Sequence, residues 1–545
     1  MKVTGLMFAD FDRSALGGPS ALLERVGPRT IVEHTLRRYA RIEGLSGRHI
    51  IVSARHSDAM RAALRETGEG DRFTVIETDV LRPRAALFAS ARKWGMGSWR
   101  GGLLGATYFD EFISAPTVLE LLRATGADAG LCLDAAMPVL DPGIGGAMVR
   151  HLEAAPSDTP LVFTQSPPGI AGVVLHREFV EEFTRLDLPI GLRLAYRPEF
   201  PIGDPINRSL CLAVDAGIAR TRARLTGDTR TSRSLLADLL DAVGDTAGAI
   251  QLCGAMSSGA LADPDELPRE VEIELTTVDP LPETTLRPRG GRVPVRGPVA
   301  VSAVLRAAQE LGTLDDRLVV LGGHGDPLRH PQFREICRGI RAAGVLGIAV
   351  VSPLVDLDDA DITALVDARV DVLSVLLDAD SRETYMRVHQ RDAFDAVIRN
   401  IARVEQSRQS LRSPQPLIIP HLTRCAATIG EMEAFFDRWI RETGGATIGG
   451  YSRHGGILPP DSLLATTPPT RTACRRLDSR LMLLADGAAV ACSEDVRGQL
   501  RFGDWCEAPL SELWNGSDRQ RCRAAHVVGI ELPVVCARCS EWHRE

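Results

Sequence analysis

The chain has 545 residues with 63 basic and 71 acidic side chains, a net charge of −8, and aromatic residues make up 5% of it. That balance offers neither a basic footprint nor a stacking surface, so nucleic acid is excluded as an expected partner. A hydrophobic fraction of 44% and a charged fraction of 25% likewise exclude a disordered or membrane-embedded class.

At about 150 residues per domain, the length predicts roughly three or four compact units. Residues 1–12 hold a short apolar run that meets Asp10 and Asp12, which fits neither a signal peptide nor a spanning helix, so the expected location is the cytoplasm. Lys2 and Lys93 are the only lysines. Phosphate binding therefore falls to arginine and backbone, and Schiff-base chemistry has almost no candidates.

Apolar runs then alternate with helix-period segments: "KVTGLMFA", "TIVEHTLRRYAR", "HIIVSA", "DAMRAALRET", "FTVIET", and on through "GLLGATYF" and "AGLCLDA". This rhythm predicts a parallel α/β sheet for residues 1–253. The small, turn-forming stretch 254–270 reads as a linker. A second alternation starts at "VEIEL" and runs through "RLVVLGG", "LGIAVVS", "VDVLSVLLD", "PLIIPHL" and "ATIGGYS", with a helical segment between each pair. Six strands so spaced predict a partial (βα)6 TIM-like barrel over 271–469, with its site at the C-terminal ends of the strands. Residues 470–545 are short of periodic segments and rich in cysteine, as a metal-stapled module is.

Of the eleven cysteines, Cys132, Cys211, Cys253 and Cys337 sit singly in apolar or helical surroundings and read as small buried hydrophobes. Cys474, Cys492, Cys536 and Cys539 have the spacing C-x17-C-x43-C-x2-C. Four thiolates complete one [4Fe-4S] cluster; a zinc site and four unrelated buried thiols are the alternatives that this spacing leaves open.

The segments "CRRLDSRLMLLADGAAVACSED", "LSELWNG" and "PVVCARCSEW" resemble the SPASM domain in its short, one-cluster (twitch) form, which is appended to radical SAM enzymes. The resemblance implies an auxiliary [4Fe-4S] cluster on Cys474, Cys492, Cys536 and Cys539, with Cys506 and Cys522 structural. In the middle region "VVLGGHGDPLRHPQF" resembles the glycine-rich turn that meets S-adenosylmethionine in that superfamily, which implies binding by Gly322, Gly323, Asp326 and Pro327. "VLLDADSRETYMRVHQRDAFDAVIRNI" resembles the fourth-strand segment, with Leu376 where serine is frequent. The loop after the first barrel strand, however, reads "TTVDPLPETTLRPRGGR" in place of CxxxCxxC. The expectation is a degenerate radical SAM barrel that does not cleave S-adenosylmethionine and retains at most nucleoside binding. Asp279, Glu283 and Thr284 offer oxygen ligands for a hard cation or form a solvated loop.

The first 253 residues resemble the cytidylyltransferase-like nucleotidyltransferases, a Rossmann-like nucleotide-diphospho-sugar fold of GT-A type, through "LGGPSALLERVGPRTIVEHTLRRYAR", "ATYFDEFISAP", "FTQSPPG" and "CLAVDAGIARTRARL". The resemblance implies that Asp110 holds Mg²⁺ and that Arg13 faces nucleotide phosphate. Three departures weaken it: Asp10 and Asp12 lie in the loop that cradles phosphate, Ser20 stands at the lysine position, and "AGIA" follows Asp215. Asp110 as a helix-capping residue stays open beside the metal role.

The three-part arrangement resembles the proteins called spiro-SPASM. It implies an iron-sulfur protein with one auxiliary cluster and no radical-SAM cluster, acting in sugar or cell-envelope modification, an inference from fold analogy. The alternatives are a Mg-dependent nucleotidyltransferase of CTP:sugar type and a non-catalytic ligand-binding scaffold stapled by the cluster. The expected partners are a small nucleotide or sugar ligand and a redox partner, with no nucleic acid and no membrane insertion.

Overall fold

The computed structural model describes residues 1–79, 81–82, 84–186, 189–195, 204–258, 266–463, 467–529 and 531–544. The chain divides into two compact units, Met1–Pro264 and Asp265–Glu545. Among the described residues, no helix is long and apolar enough to cross a membrane.

The first unit is built on β1 (Val3–Ala9), whose seven residues are all buried. Such a continuous apolar run belongs to a strand covered on both faces. A two-residue hairpin, β2 (Arg25–Val26) and β3 (Arg29–Thr30), leads into the helix Ile31–Tyr39. Thr30 and Glu33 close that helix with a reciprocal capping box. The remaining strands are β4 (Arg48–Ser53), β5 (Thr74–Thr78), β6 (Ala129–Asp134), β7 (Leu161–Val162) and β8 (Val173–His176), in the order β5-β4-β1-β6-β8-β7.

β5, β4, β1 and β6 are parallel, as the alternation predicts, whereas β8 runs antiparallel to both β6 and β7. The ten residues between β7 and β8 are too few for a right-handed crossover, so the chain turns straight back. The strand order reverses between β1 and β6, the place where open α/β sheets form a crevice at their carboxyl ends.

The helix Ala249–Ser257 extends into the stretch read as a linker, because Leu252 and Cys253 anchor it in the core. Part of that stretch, 259–265, lies outside the described residues.

The second unit holds six parallel strands in chain order, β9 (Glu270–Glu274), β10 (Leu318–Gly322), β11 (Gly347–Ser352), β12 (Val372–Leu376), β13 (Leu417–Arg424) and β14 (Thr447–Gly450). They are the six that the sequence predicts, separated by helices.

The cysteine-bearing segment continues the same sheet. β15 (Arg480–Leu483) pairs in parallel with β9, and β16 (Ala488–Val490) and β17 (Arg501–Asp504) follow antiparallel, giving nine strands in all. The open edge of the barrel is thereby covered, which satisfies the backbone groups of β9. Asp486 and Gly487 turn β15 into β16, with Gly487 at φ +88° as the tight reversal requires.

Candidate metal centre and sheet-edge cleft

The crevice of the first unit opens where β1 and β6 end side by side, with Phe8 opposite Asp134. Asp10, Arg13, Arg82, Asp134 and Asp228 line it. The loop after β1 folds onto its own carboxylate: Asp10 Oδ1 accepts from Asp12 N and Arg13 N, each at 3.0 Å, and Oδ2 accepts from Arg82 at 2.6 Å. Burial pushes the Asp10 carboxyl up, but Arg82 and the two N–H donors outweigh it and hold it below the ordinary range. The N–H groups that would cradle a phosphate are thus already engaged. Ser20 Oγ donates to the Asp10 carbonyl at 2.7 Å and braces the loop. The Arg13 side chain is exposed at the rim.

Asp134 ends the apolar strand β6 and gives one oxygen to Ala136 N at 2.9 Å. Burial pushes its pKa up to about 6, against the pull of Arg82. Behind it lies a buried relay: Glu111 accepts from Arg92 Nε at 2.8 Å and Arg224 Nη2 at 2.7 Å, and Arg224 Nε donates to Asp228 at 2.9 Å. Burial opposes ionisation of Asp228, yet Arg224 holds it below the ordinary range.

Asp110 is outside this crevice, in the short 3₁₀ turn Tyr108–Glu111. Its carboxylate accepts from Thr107 N at 2.7 Å, Thr107 Oγ1 at 2.8 Å, Ile190 N at 2.6 Å and Gly191 N at 3.3 Å. Three of those donors meet Oδ2 and one meets Oδ1, so the carboxylate is turned to protein donors and Asp110 acts as a cap, a poor fit to a magnesium ligand. Asp215 caps another short helix, accepting from Gly217 N at 2.7 Å.

In the second unit, the loop that would carry three cysteines folds its arginines into the barrel mouth. Arg296 pairs with Glu274 at the end of β9, with Nη2 to Oε2 at 3.0 Å. Arg289 pairs with Asp279 at 2.7 Å, and Arg287 with Asp378 at 2.6 Å. Asp279 and Thr284 are each turned to protein partners, Arg289 and His389, while Glu283 is exposed. The three therefore do not converge on a cation.

Gly322, Gly323, Asp326 and Pro327 lie together after β10. Gly323, at φ +88°, would place a Cβ 2.7 Å from the Glu274 Cβ, so the close approach that glycine permits is made to Glu274. Gly323 N donates to Glu272 at 3.0 Å and His324 N to Glu274 at 3.1 Å. Asp326 caps the turn Pro327–Arg329, and burial, reinforced by Asp279, pushes its pKa up to about 7. Its Oδ2 is buried without a hydrogen-bond partner.

The cysteine segment brings Cys474, Cys492, Cys536 and Cys539 to one cavity, walled also by Arg471, Arg476 and Trp542. Cys474 precedes the short helix Arg476–Ser479, Cys492 follows β16, and Cys536 lies in the short helix Val534–Ala537. Burial pushes the Cys474 and Cys492 thiols up and takes Cys539 to about 12, so metal loading must expel protons. Arg476 opposes the shift at each of the three. Glu541 N donates to Cys539 Sγ at 3.2 Å, the kind of N–H···S contact that tunes a cluster. Four soft sulfur donors, in a cavity that carries Arg471 and Arg476 beside Glu494 and Asp495, fit an iron-sulfur cluster.

The iron-sulfur cluster-binding family named SPASM matches residues 474–540. The C-terminal segment is a SPASM domain. An uncharacterized protein of Treponema pallidum is 23% identical over 247 residues, 43% of this chain and 67% of that protein. A cytidylyltransferase from Leptospira borgpetersenii is similar in structure at 12% identity, covering 48% of this chain and 95% of that one, with a TM-score of 0.35. SuiB of Streptococcus suis, bound to its precursor peptide SuiA, is similar at 8% identity over 63% of this chain and 79% of that one, with a TM-score of 0.39.

Sequence reasoning missed Asp134, although an aspartate that closes a wholly apolar strand is a visible signal. It also set Cys522 aside as structural. In the SPASM domain Cys522 lies beside Cys536, and burial is not its only feature: a hydrogen bond from the Cys536 thiol lowers its pKa while raising that of Cys536. Cys506 lies apart from the cavity, its carbonyl bound by Arg306.

Proposed function

We propose that the protein carries one [4Fe-4S] cluster, held by Cys474, Cys492, Cys536 and Cys539 of the SPASM domain, and serves as an electron-transfer component in sugar or cell-envelope modification. The observation that carries this reading is the asymmetry between two places. Four cysteines meet at one cavity in the SPASM domain, while the mouth of the barrel is filled by three arginine–carboxylate pairs. When bound, the cluster supplies one-electron transfer. The chain's own residues hold it: Arg471 and Arg476 offset thiolate charge, and Trp542 shields the cavity.

On this reading the barrel mouth carries no site-differentiated cluster and S-adenosylmethionine is not cleaved, which the three ion pairs in the mouth support. The test is iron and sulfide per chain after anaerobic purification, with electron paramagnetic resonance before and after adding S-adenosylmethionine. The expected result is about four irons, lost in Cys474→Ala and unmoved by S-adenosylmethionine. Near twice that iron, or a perturbed spectrum, would overturn the reading.

A second reading, a Mg-dependent nucleotidyltransferase in the first unit, is favoured by the crevice at the ends of β1 and β6. Asp134 takes the metal role there in place of Asp110, and Arg13 and Arg82 meet the nucleotide. Pyrophosphate release from CTP with Mg²⁺ across a panel of sugars, abolished by Asp134→Asn, supports it; no release with any of them ends it.

A further inference from the structure

Cys522 and His526 stand four residues apart on the helix Ser517–Val528, the spacing that puts two side chains on one face. That face is turned inward: Cys522 is 3% exposed and His526 is 5% exposed. The facing element brings Cys536, and one ligand atom from each of the three residues lies within 4.8 Å of the others.

Both ring nitrogens of His526 are buried without a nitrogen or oxygen hydrogen-bond partner. Its hydrogen-bond partner is the Cys536 thiol, so the imidazole is turned to a sulfur atom. Around a tetrahedral divalent ion with Zn–S of about 2.3 Å and Zn–N of about 2.0 Å, ligand atoms stand roughly 3.3–3.8 Å apart. The trio, within 4.8 Å of one another, needs only small side-chain rotations to close to that spacing. A cubane cluster spreads its thiolates over four irons; Cys474, Cys492, Cys536 and Cys539 line one cavity, and His526 stands in its wall beside Cys536.

We propose that Cys522, His526 and Cys536 form a second, mononuclear site for a thiophilic divalent cation of the zinc class, which competes with the iron-sulfur cluster for Cys536. The three side chains occupy three corners of a tetrahedron, and water or a further thiolate completes it. Binding displaces the thiol protons to solvent. Because Cys536 belongs to both sets, zinc occupancy and iron content vary inversely. The SPASM domain then has two loaded states whose balance follows the supply of the two metals.

The test uses the full chain, freed of metal under anaerobic conditions and titrated with Co²⁺, whose visible bands and thiolate charge-transfer absorption report tetrahedral sulfur ligation. The expected result is one Co²⁺ per chain, displaced by Zn²⁺, with affinity more than tenfold weaker in Cys522→Ser and in His526→Gln and unchanged in Cys474→Ser and Cys492→Ser. Far-ultraviolet circular dichroism of each variant identifies any that has lost its fold, and the other variant of the trio then decides.

Absence of Co²⁺ binding, or binding lost in Cys474→Ser and Cys492→Ser but kept in the trio variants, overturns the proposal. A second arm reconstitutes the chain with iron and sulfide. Zinc-loaded protein is expected to take up less iron than metal-free protein, and Cys522→Ser to take up the full amount. Loss of iron in Cys522→Ser equal to that in Cys474→Ser would make Cys522 a cluster ligand and overturn the proposal. The Co²⁺ arm does not depend on the cluster reading, so failure of one is distinguishable from failure of the other.

Discussion

Removing the charge of Glu274 in a Glu274→Gln variant tests how the barrel mouth is held. The carboxylate is 0% exposed. It accepts from Arg296 Nε and Nη2, from His324 N and Nδ1, and from Ala485 N at the start of the β15–β16 turn. Burial alone would push its pKa up, yet His324 and Arg296 bring it to about 2, from 4.5 in a free side chain. A depression of about 2.5 units is worth roughly 3 kcal/mol. Because the folded pKa is depressed, that stability is fully present above pH 4.5 and is lost as pH falls toward 2. The independent route, the cost of leaving one partner of a buried ion pair alone, gives about 3–5 kcal/mol, and the two agree.

Urea unfolding followed by tryptophan emission suits the measurement, since four of the six tryptophans, at positions 439, 505, 514 and 542, belong to the second unit. Glu274→Gln is expected to lose about 3 kcal/mol at pH 7, with the gap to the unsubstituted protein narrowing as pH is lowered below 4. A loss under about 1 kcal/mol, or a gap that does not change with pH, would refute the assignment of a charged, load-carrying plug.

Asp110→Ala strands four donors and is expected to cost about 3 kcal/mol in the melting of the first unit, while leaving CTP affinity unchanged in the folded fraction; a selective loss of Mg²⁺-dependent binding would restore its metal role. Asp134→Asn is expected to act in the opposite direction. With a folded pKa near 6 against 3.8 unfolded, ionising Asp134 costs stability progressively as pH rises from about 4 to 6. The variant should therefore gain up to about 3 kcal/mol at pH 7.5 and nothing at pH 4, read as paired thermal melts. Cys492→Ser is expected to abolish iron retention and Cys506→Ser to leave it intact, by colorimetric iron per chain; equal loss in both would move the cluster toward β17.

Several strands were legible as apolar runs: "VTGLMFA" is buried at every position, and the six barrel strands fall on the runs quoted for them, whereas "GLLGATYF" folds as the 3₁₀ turns Leu103–Gly105 and Tyr108–Glu111 and the short β7 and β8 carried no quoted run. The Asp486–Gly487 turn was equally legible, since a local φ requirement selects its residues. What the sequence hid was the pairing of distant groups. Asp110 and Asp134 both follow apolar stretches and precede a proline, and the difference between a cap and a cleft residue depends on Asp134 lying opposite Phe8 in the sheet register. Likewise Arg287, Arg289 and Arg296 read as an ordinary polar loop. Their role depends on Asp378, Asp279 and Glu274, which β12 and β9 deliver from up to 91 residues away. The C-x3-H step of Cys522 and His526 is visible as a helical pair, whereas the arrival of Cys536 is not.

The plug and the SPASM domain are one construction. β15 adds to the edge of β9, and Glu274, the last residue of β9, reaches both the glycine-rich turn and Ala485. His324 carries the connection onward: its Nδ1 meets Glu274 at 2.7 Å and its Nε2 meets the carbonyl of Ser493 at 3.0 Å, next to Cys492. Arg296 makes a second tie to the carbonyl of Val496 at 3.2 Å. The ends of β9 and β10 thus brace the segment that carries Cys492. Three arginines are matched in the barrel mouth by three carboxylates, and buried pairs of this kind are costly to separate. Replacing Arg287, Arg289 and Arg296 together would leave Asp378, Asp279 and Glu274 without their cations, so the packing of the barrel mouth depends on these three pairs.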